Sequence, residues 1–410
     1  MCYSRLSERQ VWAGGRCHIA DIFFVSAYTS TTAVDDTPTT AVAQPVDDTP
    51  SRSEIQGQSL QIAIASNVPA LLWGQPGEGK SATIENMTLP QGIHLEVIIG
   101  SQHDPTDIAG QPWVVTPDSS SAEGPHMIHL LPDWAYRVDK LPNGSPSVVF
   151  FDELDKCPPA VQNACLRAIR ERAVGDIHLS KECRMLAAAN YPGPMGGFDL
   201  TAPMSNRLMH LDWAMDPDAV LVGLGTDIWP NLPPIWPGAE ALKMVAPSWR
   251  GRIVTFLHAH PQLVRVVPET PEAQGRPWPS PRSWGMALDL CTTGSAIQAH
   301  RAVLREMVVG VVGVEVGEAF MAWADRMPLM NAQIALQDPT QLPYDAEPEL
   351  LGYMAATVAV AVAQDPTQQG VNAMLEVASR INRTPAAPLL APTLKIINAI
   401  KRQYPLLQVG

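Results

Sequence analysis

From residue 55 onward the chain alternates short apolar runs with segments of helical period. Ile55–Ser66 reads as a short helix. Ala70–Trp73 (Ala-Leu-Leu-Trp) is an apolar run that stops at a glycine-rich turn, as a buried strand does. Leu95–Ile99 predicts a second strand. Val148–Phe151 predicts a third, apolar on both faces and so expected near the centre of a parallel sheet. Val161, Cys165, Ile169 and Ala173 recur at the helical period across Ala160–Arg172. Arg184–Ala189 and Arg207–Trp213 predict strands four and five. Strands that alternate with helices predict a layered α/β domain, here residues 54–213.

After residue 214 the strand signals fade. Proline and tryptophan are dense from Trp229 to Trp249, which predicts an irregular connection. Ser283–Gly294, His300–Val309 and Ala319–Met327 read as helices, giving an all-helical lid over 214–335. A further helical block, Pro348–Gln403, is broken at Asp365-Pro366 and across Pro385–Pro392, and forms a helical C-terminal extension over 336–410. Residues 29–53 are different. They are rich in Thr, Asp, Pro and Ala and repeat Val-Asp-Asp-Thr-Pro at 34–38 and 46–50. So little apolar surface cannot offset the entropy of ordering, so 29–53 is expected to be a disordered linker; residues 1–28 read either as a small appendage or as upstream sequence that never packs, and are grouped with it as a disordered segment and linker over 1–53.

Composition narrows the class. The 410 residues are 46% hydrophobic and 17% charged, ordinary for a globular protein of two or three domains. The net charge of −13 argues against a nucleic-acid partner, since phosphate binding calls for basic surplus. The six cysteines (Cys2, Cys17, Cys157, Cys165, Cys183 and Cys291) form no Cys-x-x-Cys pair and read as reduced core thiols of a cytoplasmic protein. No apolar run has the ~18 residues of a membrane span. Ile19–Tyr28 is short, interrupted by Asp21, and followed by no cleavage pattern of a leader peptide.

Three motifs carry chemistry. Gly74-Gln75-Pro76-Gly77-Glu78-Gly79-Lys80-Ser81, followed by Ala82, fits the phosphate-loop pattern G-x-x-x-x-G-K-[ST] between a strand and a helix. Its glycines let backbone N–H groups turn toward phosphate oxygens, Lys80 is placed for the β- and γ-phosphates, and Ser81 for Mg²⁺. The strand Val148–Phe151 delivers Asp152 and Glu153 to the sheet edge where ligands bind. Asp152 suits Mg²⁺ through a water, and Glu153 suits polarising an attacking water. Ala187-Ala188-Ala189-Asn190 ends a strand at the same edge, so Asn190 can place an amide beside the γ-phosphate. The plain alternative is an asparagine that starts the turn into Tyr191-Pro192-Gly193.

Together these motifs resemble the AAA+ ATPase superfamily. Several segments resemble its MoxR-like branch, the ATPases encoded beside von Willebrand factor A proteins. His103–Gly110 is similar to the segment that follows strand two there, and Gln111–Asp139, with Gly124-Pro125, stands where that branch carries its helix-two insert. Ala202-Pro203-Met204-Ser205-Asn206-Arg207-Leu208 resembles the arginine-finger box. Pro279-Ser280-Pro281-Arg282-Ser283-Trp284 resembles the sensor-two motif. The resemblance covers about residues 55–330. It departs from the family at Glu78, a carboxylate inside the phosphate loop, and at Asn206-Arg207-Leu208, where Asp-Arg-Phe is commoner. Residues 1–54 and about 336–410 have no counterpart.

The resemblance implies a P-loop NTPase parallel sheet with a helical lid, using ATP and Mg²⁺ and forming ADP and phosphate. It implies that Arg207 enters a neighbouring subunit's site, hence a homo-oligomeric, hexameric ring. It also implies that Arg282 reaches the γ-phosphate from the chain's own lid, with Arg276 as competitor. Arg170 and Arg172 read as surface or intersubunit charges. The work implied is remodelling or activation of a partner protein, one with a von Willebrand factor A domain among the options, through the 111–139 insert. Two rivals stay open: a nucleic-acid-directed motor of restriction or replication type, and a nucleotide-gated scaffold that does not turn ATP over.

Overall fold

A computed structural model describes residues 49–116, 124–192 and 197–408. The segment expected to be disordered lies outside them as far as residue 48, as do Cys2 and Cys17. The described chain starts with a helix, α1 (Arg52–Ser66), that begins three residues before the sequence pattern suggests. Its start is a capping box inside what reads as linker: Glu54 N donates to Ser51 Oγ at 3.3 Å and Ser51 N donates to Glu54 Oε2 at 2.7 Å.

Nine strands follow: β1 (Ala70–Trp73), β2 (His94–Ile99), β3 (Gln111–Val115), β4 (His126–Leu130), β5 (Ser147–Asp152), β6 (Ala173–Val174), β7 (Ile177–His178), β8 (Cys183–Ala189) and β9 (Met209–Asp212). Five of them form one parallel sheet in the order β2-β5-β8-β1-β9. Its central strands are apolar on both faces because both are covered. Ala70, Leu72, Val148 and Phe150 point into one core, and Leu71, Trp73, Val149 and Phe151 into the other. The α/β class expected from the sequence is the class observed.

The helices between strands are α2 (Lys80–Thr88), α3 (Pro105–Ala109), α4 (Asp133–Asp139), α5 (Pro159–Glu171) and α6 (Ala202–Ser205). The stretch Gln111–Asp139 is more regular than its sequence suggests. β3 and β4 pair as an antiparallel hairpin, Trp113 opposite Ile128, and α4 follows. Trp113, Val114, Met127 and Leu130 are exposed on it.

The helical region comprises α7 (Pro217–Thr226), α8 (Ala239–Ala259), α9 (Pro271–Gln274), α10 (Pro281–Ala296), α11 (Arg301–Val312), α12 (Val314–Ala324), α13 (Ala332–Gln337), α14 (Pro348–Gln364), α15 (Gln368–Ile381) and α16 (Ala391–Gln403). Two of these differ from expectation. α7 opens with Asp216 accepting from Asp218 N, and Pro217 at its first position, a start signal that the fading strand pattern obscures. α8 occupies the second half of the stretch expected to be irregular and contains Pro247. Trp249, Ile253 and Phe256 recur on its buried face, and their burial outweighs the bond that Pro247 cannot donate. α14 lies along α8, with Ser248 Oγ 2.6 Å from Tyr353 Oη and Tyr353 Oη donating to Pro328 O at 2.8 Å. Helices on both sides of residue 335 therefore share one core, to which α13, α15 and α16 add a smaller cluster around Val358, Met374 and Ile397.

Candidate nucleotide site

The loop Gly74–Gly79 leaves the C-terminal end of β1 and runs into α2. It turns through Gly77 (φ +87°) and Gly79 (φ +71°), left-handed positions that only glycine adopts without strain. Lys80, the first residue of α2, is 8% exposed. Its Nζ donates to Gly74 O at 2.9 Å, Gln75 O at 3.0 Å and Asn190 Oδ1 at 3.2 Å. Burial lowers the Lys80 pKa, and the charges of Glu78, Asp152 and Asp155 oppose that shift. The ammonium is thus held over the loop, with the Asn190 side chain as one of its partners.

The two acids at the end of β5 divide their work. Asp152 accepts from Ser81 Oγ at 2.6 Å, so the two candidate magnesium residues are already in contact. Among the described residues no group of three or more His, Cys, Asp or Glu could hold a metal unaided. A hydroxyl and a carboxylate are what Mg²⁺ takes from a protein when phosphates and waters supply its other ligands, so the pair fits a magnesium nucleotide. Glu153 has φ +56°, a left-handed conformation unusual for a side-chain-bearing residue. Its backbone N donates to Asp152 Oδ1 at 2.8 Å, and its carboxylate accepts from Ser101 Oγ.

Two parts of the site had no sequence signal. Asp155, 5% exposed, accepts from Asn190 N at 3.0 Å and so fixes the residue that follows β8. Beside the loop lies a cleft of about 610 Å³, lined by Gln56 of α1, Ala82 and Thr83 of α2, and Trp213, Met215 and Trp229 after β9. Its walls are largely apolar, and it continues the line of Glu78 and Gly79. A flat heterocycle attached to loop-bound phosphates fits such a cleft.

Glu78 is the unusual member of the loop. Its Oε2 accepts from Gln75 N at 2.6 Å, and its charge faces Lys80. A carboxylate there repels a phosphate anion. Glu78→Gln keeps an acceptor for Gln75 N and removes the charge. We expect it to bind ADP about tenfold more tightly, as the removal of one like charge at short range in a partly screened site predicts. Titration with fluorescent ADP checks this; unchanged affinity would leave Glu78 a purely structural role.

The arginines fall into two groups. Arg276 lies 4.4 Å over the Trp73 ring and 5.6 Å over Tyr191, at the end of β1 where the phosphate loop begins. Arg282 is elsewhere: Arg170 is the charge that acts on it, and Arg207 in turn feels Arg282, Arg170 and, in opposition, Glu171. Burial first, and then Arg282 and Arg170, push the Arg207 pKa down. Arg207 Nε is buried without a hydrogen-bond partner, and Nη1 donates to Pro203 O.

Arg207 sits in the turn between α6 and β9, just outside the strand. β9 runs parallel to β1 with Met209 opposite Ala70 and Asp212 opposite Trp73. Arg207 therefore enters the sheet at the edge opposite the phosphate loop, roughly 15–20 Å from it at about 3.3 Å per residue.

The finger box is clamped to the lid. Ser205 Oγ donates to Arg276 O at 2.7 Å, Asn206 Nδ2 donates to Trp278 O at 3.0 Å, and Ser280 Oγ donates to Asn206 Oδ1 at 2.7 Å. The asparagine that departs from the family pattern thus uses both ends of its amide. His210 joins the same box to β1: it accepts from Trp73 Nε1 at 2.9 Å, and Nε2 donates to Ser205 O at 3.0 Å. Burial pushes its pKa down to about 4, so the ring is neutral as this pattern requires.

No protein-family model and no curated protein matches the sequence. Solved structures do show likeness. A protein of Cytophaga hutchinsonii assigned as an ATPase is 14% identical, with TM-score 0.40 over 68% of this chain and 90% of its own. An MCM homologue of Methanopyrus kandleri is 15% identical, with TM-score 0.33 over 68% of this chain and 56% of its own. A RuvB variant of Thermotoga maritima is 14% identical, with TM-score 0.26 over 81% of this chain and 90% of its own. The strand order, with the phosphate loop after β1 and the acidic pair after β5, makes this an α/β P-loop NTPase fold.

Proposed function

We propose that the chain is an ATP-hydrolysing AAA+ ATPase of MoxR-like type that works in a ring and remodels or activates a partner protein. The observation that carries the reading is the convergence at one sheet edge of Lys80, Ser81, Asp152, Glu153 and Asn190, joined by the bonds described above. Magnesium-bound ATP would bring the phosphoanhydride. The loop N–H groups and Lys80 would bind its phosphates, Ser81 and Asp152 would hold the metal, and Glu153 would take a proton from the attacking water. Asn190, held by Asp155, orients that water. In place of Arg282, expected from the resemblance, Arg276 over the Trp73 ring is the lid arginine we propose for the chain's own site, and Arg207 with Arg282 would face a neighbour's.

The hairpin β3–β4 is the contact surface proposed for the partner. It is exposed and apolar at Trp113, Val114 and Met127, and it lies in the segment that resembles the helix-two insert. No helix among the described residues is long and apolar enough to cross a membrane.

The test is phosphate release from ATP by the full chain against Lys80→Ala. Wild type should turn over. The variant should lose nucleotide affinity by about 100-fold or more, because a buried charge-assisted contact is removed. Absence of turnover in wild type at every protein concentration would favour the scaffold reading, and turnover that appears only when DNA is added would favour the nucleic-acid-directed motor.

A further inference from the structure

The helical region holds a second cleft, of about 440 Å³, which shares no lining residue with the cleft beside the phosphate loop. Arg252 of α8 lies in its wall and is 5% exposed. A guanidinium carries five N–H donors and cannot shed its charge. Here Nη2 donates to Met327 O, while Nε has no hydrogen-bond partner. The face of the group lies 4.4 Å over the Trp249 ring and 5.9 Å from the Tyr353 ring centroid. Among the described residues no carboxylate forms an ion pair with it. Asp325, the acid in the same cleft, is held by Arg301.

A buried cation whose nearest acid, Asp325, acts on it only at a distance and is bonded to Arg301 costs stability, and apolar side chains of similar volume would join α8 to its neighbours better. The rest of the cleft explains what the charge can serve. Arg252 and Arg301 against Asp325 leave one net positive charge, which matches a monoanion better than a phosphate ester. The planar fork suits a carboxylate. Leu304, Met321, Ala324 and Met327 make an apolar part of the remaining wall, beside the polar Ser295 and Gln298. We propose that this cleft binds a monocarboxylate with an apolar body, its carboxylate on Arg252 and its body against Leu304 and Met321. The volume suits a ligand the size of an acylated amino acid. Such a ligand would tie α8 to the turn after α12, where Arg252 already holds Met327 O.

The probes are N-acetyl-leucine and its uncharged amide, titrated calorimetrically into the full chain with ADP and Mg²⁺ present so that the phosphate-loop site is filled. The acid should bind saturably and the amide at least about tenfold more weakly, the loss of one charge-assisted contact. Arg252→Met, which keeps an apolar stem, should lose acid binding. Ala299→Trp, at a half-buried residue of the lining, should block it by filling the cleft while leaving Arg252 in place, and a thermal melt shows which of the two variants remains folded and can be read. A hexapeptide ending in leucine, with free and with amidated C-terminus, identifies the source. Binding of the free form alone assigns the site to a chain end, and binding of only N-acetyl-leucine assigns it to a small acid. Equal binding of acid and amide, no binding of the acid at about 10 mM, or full binding by Ala299→Trp would overturn the proposal.

Discussion

Glu153→Gln should stop turnover while leaving nucleotide binding intact. Glu153 is held at the end of β5 in a left-handed conformation, with its N–H on Asp152 and its carboxylate on the Ser101 hydroxyl. The amide keeps that shape and still accepts from Ser101, but it cannot take a proton from water. Loss of a general base costs roughly 10²–10⁴ in rate. Asp152 and Ser81 are untouched, so affinity for ADP and Mg²⁺ should stay within about twofold, as expected when only the chemical step is altered. Single-turnover hydrolysis and equilibrium binding on the same preparation separate the two effects. A variant that keeps more than about a tenth of the wild-type rate would remove Glu153 from the role of base.

Much of this site could be read from the sequence because its parts are local. The phosphate loop, the acids after β5 and Asn190 after β8 each follow an apolar run, and parallel strands buried on both faces announce themselves by that run alone. What escaped the sequence depends on distant contacts or on local chemistry masked by composition. Ser51 and Glu54 form their capping box within linker-like sequence, so the apolar pattern places the start of α1 too late. α8 is hidden by Pro247 and by the prolines and tryptophans that precede the helix, although Trp249 and Phe256 are what pack it. The apolar cleft beside the loop draws on α1, α2 and the chain after β9, three segments with no shared motif. Arg276 and Arg282 are six positions apart in the sequence, and only the packing of Ser205 and Asn206 on the lid entry sends them to different neighbours.

A mixture of two inactive variants should regain activity, and this is the outcome on which the proposed ring stands. Arg207 lies at the sheet edge opposite its own phosphate loop, so it cannot reach that loop without dismantling β9. It is not balanced where it stands. Its Nε is unpartnered, and Arg282 and Arg170 are its main electrostatic neighbours. Three like charges with Glu171 as the one acid that opposes them leave a net positive cluster, and an anion from outside would relieve it. A neighbour's phosphates are such an anion, and an arginine supplied across an interface accelerates phosphoryl transfer by roughly 10³–10⁵ where it has been measured. Arg207→Ala and Glu153→Gln should therefore each be nearly inactive alone. Mixed rings contain interfaces that pair an intact Glu153 in one subunit with an intact Arg207 in the next, and those interfaces should turn over. The specific rate of the wild type should also rise with protein concentration until assembly is complete. Mixed samples as inactive as their components, with both variants shown to assemble, would exclude Arg207 as the shared residue, and a fully active monomer would end the ring proposal.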